Sequence, residues 1–251
     1  MLDRTSDPIR WEKHAAKQVT IWRVRHSEKA GDGETRLPAE WAGLSVAFSR
    51  MHGAGGDDVA QALGGLLNWP VYDRELVDFI AQNAHVRSQV VESFDEKKKG
   101  EIEAWLQTAL SSGHLDIDRY GKHLLAVLAA FAEKGQAILI GRGSVFVLKP
   151  QQGVRVLISA PLQWRSRRLA QRRTITPREA EAIIQKVDQE RLAFVRKYFN
   201  RDPNDPDHYD LVINAAHFTH LQAARLILAA LEQKAGSPYP PSADLDEARG
   251  V

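Results

Sequence analysis

The residues with the clearest capacity for chemistry stand together early in the chain, in Ser49-Arg50-Met51-His52-Gly53-Ala54-Gly55-Gly56-Asp57-Asp58. Gly53, Gly55 and Gly56 leave backbone N–H groups uncovered. Where a helix begins directly after such a turn, those groups lie at its N-terminus, and the aligned peptide dipoles also favour an anion. Phosphate binding is the chemistry this suits; a glycine turn that only connects a strand to a helix is the alternative. The usual phosphate-loop pattern is Gly, four residues, then Gly-Lys-Ser/Thr, in which lysine neutralises the transferred phosphate and the hydroxyl holds magnesium. With Gly53-Ala54-Gly55 as the second half of that pattern, Arg50 falls at the first glycine, Gly56 at the lysine and Asp57 at the hydroxyl position. Asp57 and Asp58 place negative charge beside the expected phosphates, where a carboxylate either approaches magnesium or repels nucleotide.

Arginines form the second set. Arg165, Arg168 and Arg172, within WRSRRLAQRR at 164–173, follow i, i+3, i+7 spacing and share one helical face. Converging guanidiniums suit phosphoryl transfer because they neutralise two approaching anions; a solvated face is the plainer use. Arg142 follows the apolar run AILI and stands at a strand's carboxyl end, where open α/β sheets bind ligands. It reads as a contact to an acceptor's phosphate or base, or as a buried pair with Asp73 or another acid. Asp73 and Arg74, after Val71-Tyr72, read as the wall of the acceptor side, or as a helix N-cap and its neighbour. Arg191 falls close to the centre of the stripe Ala180, Ile184, Val187, Phe194, Tyr198. A charge on that inner face needs a partner, which Asp188 three residues earlier or a bound phosphate supplies.

The elements that must carry these residues alternate. LSVAF (44–48), AILI (137–140), VRVLIS (154–159) and YDLVIN (209–214) are short apolar runs expected of buried parallel strands. Val59, Ala62, Leu63, Leu66 and Leu67 have helical spacing directly after the glycine turn, and residues 86–134 read as mostly helical with a charged break at DEKKKGE. Thr176-Pro177-Arg178-Glu179 has capping-box spacing with proline at the first helical position, which predicts a long helix over 177–199. A last helix is expected at 221–233. Alternation of this kind predicts an α/β fold: a three-layer sandwich with a parallel sheet between helices. Residues 1–43 show no sustained period and read as an N-terminal extension; residues 44–234 form the predicted domain; 235–251, rich in proline and then acidic, read as a disordered tail.

Composition narrows the function classes. The 251 residues contain no cysteine, which excludes disulfides and thiolate metal sites. No leader-like apolar segment opens the sequence and no run approaches the roughly 18 apolar residues of a membrane span, so a cytoplasmic protein without a membrane partner is expected. A formal net charge of +2 gives no argument for a nucleic-acid partner. No HExxH, close metal-ligand set or Gly-x-Ser-x-Gly elbow occurs, so neither a resident metal nor covalent hydrolase chemistry is expected.

Between about residues 44 and 233, the blocks SRMHGAGGDDVAQALG, WPVYDRELVDFIA, AILIGRGSVFVL, VRVLISAP with its arginine helix, DQERLAFVRKYF and DPDHYDLVIN resemble, in this order, the cytidylate kinase-like family. The resemblance implies a P-loop NTPase core, ATP and Mg2+ as cofactors, a nucleoside-monophosphate type of acceptor site and an arginine-bearing helical lid. The family's common loop, Gly-Ser-Gly-Gly-Arg-Glu, also lacks the lysine, so Gly56 is shared; Asp57 replaces the basic residue often found next. Gly141-Arg142-Gly143 is similar to the Gly-Arg-Asp of cytidylate kinases without its aspartate, which weakens the case for cytosine as the base. The family also carries Asp-x-x-Arg at 188–191. Taken with the geometry, the expected roles are Arg50, His52, Gly53, Ala54, Gly55, Gly56, Asp57 and Asp58 around the donor nucleotide; Asp73, Arg74, Arg142 and Asp188 around the acceptor; and Arg165, Arg168, Arg172 and Arg191 in transfer. The rival expectations are a non-catalytic nucleotide-binding protein that has lost its loop chemistry, and a kinase of another small compound.

Overall fold

The computed structural model describes residues 20, 38–91, 99–100, 103–104, 107 and 118–240. Five strands form one sheet: β1 (Ser45–Arg50), β2 (Val71–Tyr72), β3 (Ile138–Ile140), β4 (Gly153–Ser159) and β5 (Leu211–Asn214). All pairings are parallel and the spatial order is β2-β3-β1-β4-β5. The chain leaves β1, reaches the β2 edge, returns through β3 to lie beside β1, and then crosses to β4 on its other side. This reversal opens a crevice at the strand carboxyl ends, where such sheets bind ligands.

Helices α1 (Gly56–Leu67), α2 (Arg74–Gln82), α3 (Ala84–Val91), α4 (Arg119–Lys134), the single turn α5 (Ser144–Val147), α6 (Leu162–Arg173), α7 (Pro177–Phe199) and α8 (His220–Ala235) cover the sheet. Period-2 alternation divides the strand side chains between two cores. Val46, Phe48, Ile138, Ile140, Val154, Val156 and Ile158 pack with residues of α1 and α8. Leu139 turns the other way, toward α2 and α4, while Ala47 and Leu157 meet Val145 of α5. The expected three-layer parallel architecture is the one observed.

The Thr176–Glu179 capping box forms as its spacing requires, and α7 runs the full 23 residues to Phe199. It lies along α6, and the two helices share a small core of Leu169, Ala170, Ala180 and Ile184. The charged break at 95–101 lies largely outside the described residues, as do most of 1–43 and residues 241–251. The flanks that are described pack inward. Trp41 is fully buried, its indole N–H donates to Ser237 Oγ at 3.0 Å, and its ring meets Tyr239 edge-on with centroids 4.9 Å apart. The Tyr239 hydroxyl donates to the Leu67 carbonyl at the end of α1. Among the described residues no helix is long and apolar enough to cross a membrane.

Candidate active site

β1 ends at Arg50, and the chain turns through Gly53 (φ +81°) and Gly55 (φ +85°) into α1. Gly55 is the N-cap and contributes no capping side chain, so the N–H groups of Gly56, Asp57 and Asp58 meet no acceptor among the described residues. They present the positive end of the helix dipole at the mouth of the turn. The two acids that begin α1 are not bare charges. Asp57 Oδ1 accepts from Arg50 Nε at 3.0 Å; Asp58 Oδ2 accepts from Arg168 at 2.7 Å and from Arg172 at 2.9 Å. Burial alone would raise the Asp58 carboxyl, but the bonds from Arg168 and Arg172 outweigh it and hold the group below the usual carboxylate range. Negative charge beside the loop is therefore compensated by Arg50 of β1 and by two arginines of α6.

The lid arginines are brought together, and each bonds a carboxylate. Arg168 also donates to the Gly53 carbonyl at 3.3 Å, lies 3.1 Å from His220 Nε2, and rests its guanidinium against Gly55, where an added Cβ would approach it to 3.1 Å. Arg165 is buried and spends its donors on the carbonyls of Ala160 and His52 and on Asp188 Oδ2 at 2.6 Å. The other oxygen of Asp188 accepts from the His52 backbone N–H at 2.8 Å. Asp188 therefore binds the lid to the phosphate loop, with Arg165 as its partner and not Arg191. The His52 ring has its Nε2 buried without an acceptor or donor among the described residues; burial and then the nearby Arg191 lower its pKa to about 4, so it is neutral at pH 7.

Next to the loop lies a cavity of about 390 Å³, lined by the ends of β1 and β3, the Gly141–Phe146 turn and the inner face of α7. Four arginines reach it: Arg50, Arg74, Arg142 and Arg191. Arg142 is held in the left-handed region (φ +52°) between two glycines at φ +75° and +73°, a turn that costs about 1–2 kcal/mol at the non-glycine residue. Its guanidinium is thereby aimed at Asp78, on which it closes with two bonds, one of 2.6 Å from Nε, while Tyr120 donates to the same carboxylate at 2.5 Å. Phe194 covers it from α7 at 4.4 Å. The acid that pairs with Arg142 is Asp78 and not Asp73; Asp73 caps α2 by accepting from Leu76 N, and burial raises its carboxyl. Arg74 bonds its neighbour Glu75. Asp78 and Tyr120 escaped sequence reasoning because Asp78 lies off the Leu76–Val77–Ile80 stripe and is buried only when α4 folds over it.

Arg191 differs from all of these. It bonds the Arg50 carbonyl at 2.7 Å and pairs with no carboxylate among the described residues. Desolvation, reinforced by the Arg50 charge, holds it down to about 10. A desolvated cation at the wall of a cavity is costly unless a partner compensates it.

The sequence matches the cytidylate kinase-like family over residues 45–217, well over half of the chain and all of the loop, cavity and lid. This chain belongs to that family. It is 30% identical over 110 residues to a cytidylate kinase of Methanopyrus kandleri, a match covering 40% of this chain and 57% of that enzyme, so it spans little more than half the relative's length. The fold is similar to that of an uncharacterized protein from Eubacterium ventriosum, with a TM-score of 0.53, 18% identity, and coverage of 75% of this chain and 98% of that one. A shikimate kinase from Acinetobacter baumannii is more distant, at a TM-score of 0.40 and 14% identity over 76% of this chain and 93% of that one.

Proposed function

We propose that this family member is an ATP-dependent phosphotransferase whose acceptor is a small phosphorylated molecule, a nucleoside monophosphate such as CMP. The observation that carries the reading is Arg191: a cation without a carboxylate, held in a cavity that adjoins a helix N-terminus with free N–H groups. The loop N–H groups would take the donor's phosphates and Arg191 the acceptor's, so that two anions meet between fixed positive charges, which is most of what phosphoryl transfer asks of a protein.

The loop fits magnesium in a limited way. Its carboxylates, Asp57 and Asp58, are both ion-paired, and among the described residues no three acidic or imidazole side chains cluster. That donor set suits an ion that arrives on the nucleotide and keeps most of its waters, with the two aspartates at its edge. When bound, the ion neutralises charge on the donor's phosphate oxygens. Phe194 and Phe146 line the cavity and offer apolar faces to a base, while Arg142, already neutralised by Asp78, offers shape more than charge.

A second reading, a nucleotide-binding protein without turnover, is favoured by Asp57 and Asp58, which place carboxylates beside the loop. One experiment separates the two: thermal shift with ATP, Mg2+ and nucleoside monophosphates, singly and together, followed by measurement of ADP. Stabilisation by ATP and a monophosphate with ADP formed when they are combined supports transfer; stabilisation without ADP supports the second reading; no response to any nucleotide overturns both.

A further inference from the structure

The phosphate loop lacks its lysine, yet the space a lysine stem would fill is occupied. A Cβ built on Gly56, the lysine position, would lie 2.6 Å from Arg50 Cβ and 3.0 Å from its Cγ. At the other end of the same side chain, a Cβ on Gly141 would overlap Arg50 Nη1. Arg50 therefore runs from the first turn of α1 to the carboxyl end of β3, along the floor between the loop and the cavity. Gly56 and Gly141 are the two openings that let it through, and neither position admits a side chain while Arg50 is there.

The guanidinium is oriented as well as placed. Arg50 is 10% exposed, and its Nε bonds Asp57, which is 55% exposed. Nη1 and Nη2 bond to no acceptor among the described residues, and Arg50 lines the cavity. Its four η N–H donors are left open toward the cavity, free to take an anion there. Its planar fork matches two oxygens of one phosphate or one oxygen from each of two.

We propose that Arg50, carried on β1, replaces the missing lysine and contacts the phosphoryl group in transit, with Asp57 as the positioning residue that aims it. This rests on the reading of the site as a phosphotransferase. In the step, an oxygen of the acceptor's phosphate forms a bond to the terminal phosphorus of ATP. The bond from that phosphorus to the bridging oxygen breaks, and its electron pair leaves on the β-phosphate of ADP. Arg50 stays protonated and gains stronger bonds as negative charge gathers on the bridging oxygen, the work expected of a phosphate-loop cation. An oxygen of an ionised phosphate attacks without a proton to lose, so no general base is needed.

The test uses the full chain and follows ADP formation from ATP, Mg2+ and CMP, AMP or UMP in the wild type and in Arg50→Ala, Arg50→Lys and Arg50→Gly/Gly56→Lys. Arg50→Ala should lower kcat by about 100-fold or more, with little change in the KM for the monophosphate. The double variant, in which glycine at position 50 removes the Cβ that would stand 2.6 Å from the new one and a lysine at the loop position takes the vacated space, should recover at least about tenfold of that loss, a rescue that a purely structural role would not produce. A wild type that forms no ADP with any of the three acceptors removes the phosphotransferase reading and this inference with it. An active wild type with Arg50→Ala within about threefold of it overturns the inference alone, as does a double variant without rescue. If Arg50→Ala does not fold, Arg50→Lys decides: unchanged kcat overturns the proposal, and a drop of about tenfold or more supports it.

Discussion

On α6 every guanidinium that reaches the phosphate loop meets a carboxylate: Arg165 meets Asp188, and Arg168 and Arg172 share Asp58. In the adjoining cavity Arg142, Arg74 and the Arg50 Nε also meet carboxylates, but Arg191 bonds only a carbonyl and the Arg50 η nitrogens bond nothing described. The two groups lie on adjacent elements of one small region, yet their energetics differ in sign. A paired buried charge stabilises mainly because losing its partner would strand the other ion, whereas an unpaired one is a standing cost that a ligand relieves. Charge compensation thus distinguishes arginines that hold the site together from those with donors left over for the proposed substrate.

The largest effect expected from this contrast is at Arg165. Arg165→Met strands Asp188 and removes two carbonyl contacts, and should cost about 3–4 kcal/mol in chemical denaturation. Adding Asp188→Asn should return part of it. A loss below about 1 kcal/mol would mean that the pair is not a fastener. Arg142→Met comes next, at about 2–3 kcal/mol, because it leaves the Asp78 carboxylate with only Tyr120.

His52 stands on the border between the two groups: its carbonyl serves Arg165 and its ring feels Arg191 and Arg173 against Asp188 and Asp57. Its pKa in the fold is about 4, below the ordinary 6.5, so the unfolded chain binds the proton more readily. The stability tied to the neutral ring is therefore complete above pH 6.5 and is lost as pH falls from 6.5 toward 4. The wild type should lose about 1–2 kcal/mol more than His52→Gln between pH 7.5 and pH 5, read from paired denaturation curves. Parallel curves would show that the ring titrates freely.

The smallest change in stability belongs to the residue with the clearest proposed role. Arg191→Met removes a desolvated charge and keeps an apolar stem, so the apo protein should stay within about 1 kcal/mol of wild type or gain slightly. Stabilisation by a nucleoside monophosphate should disappear. An apo loss of about 2 kcal/mol or more would place Arg191 with the fasteners and erase the contrast.

Much of the scaffold is readable from local pattern. Apolar runs of four to six residues mark β1, β3 and β4, the Thr176–Glu179 spacing marks the start of α7, and the helical phase of Arg191 marks it as an inward-facing charge. What local pattern does not contain is which charges meet. Arg165 and Asp188 are 23 residues apart, Arg142 and Asp78 are 64, and Arg168 and Asp58 are 110. These distances close only when helices pack, so the nearer candidates, Asp188 for Arg191 and Asp73 for Arg142, are reasonable from sequence and are not the partners found. The role of Gly56 is hidden for the same reason. Its missing side chain reads as a lost lysine until the path of Arg50 past it is visible.

The contact between Trp41, Ser237 and Tyr239 joins the two ends of the folded region through side chains 196 residues apart in sequence. These two segments, one before β1 and one after α8, are clasped to each other across the end of α1. A protease cut just before Tyr239 would therefore release the clasp from one side and loosen the packing around Trp41 on the other, so damage at either segment is felt at both.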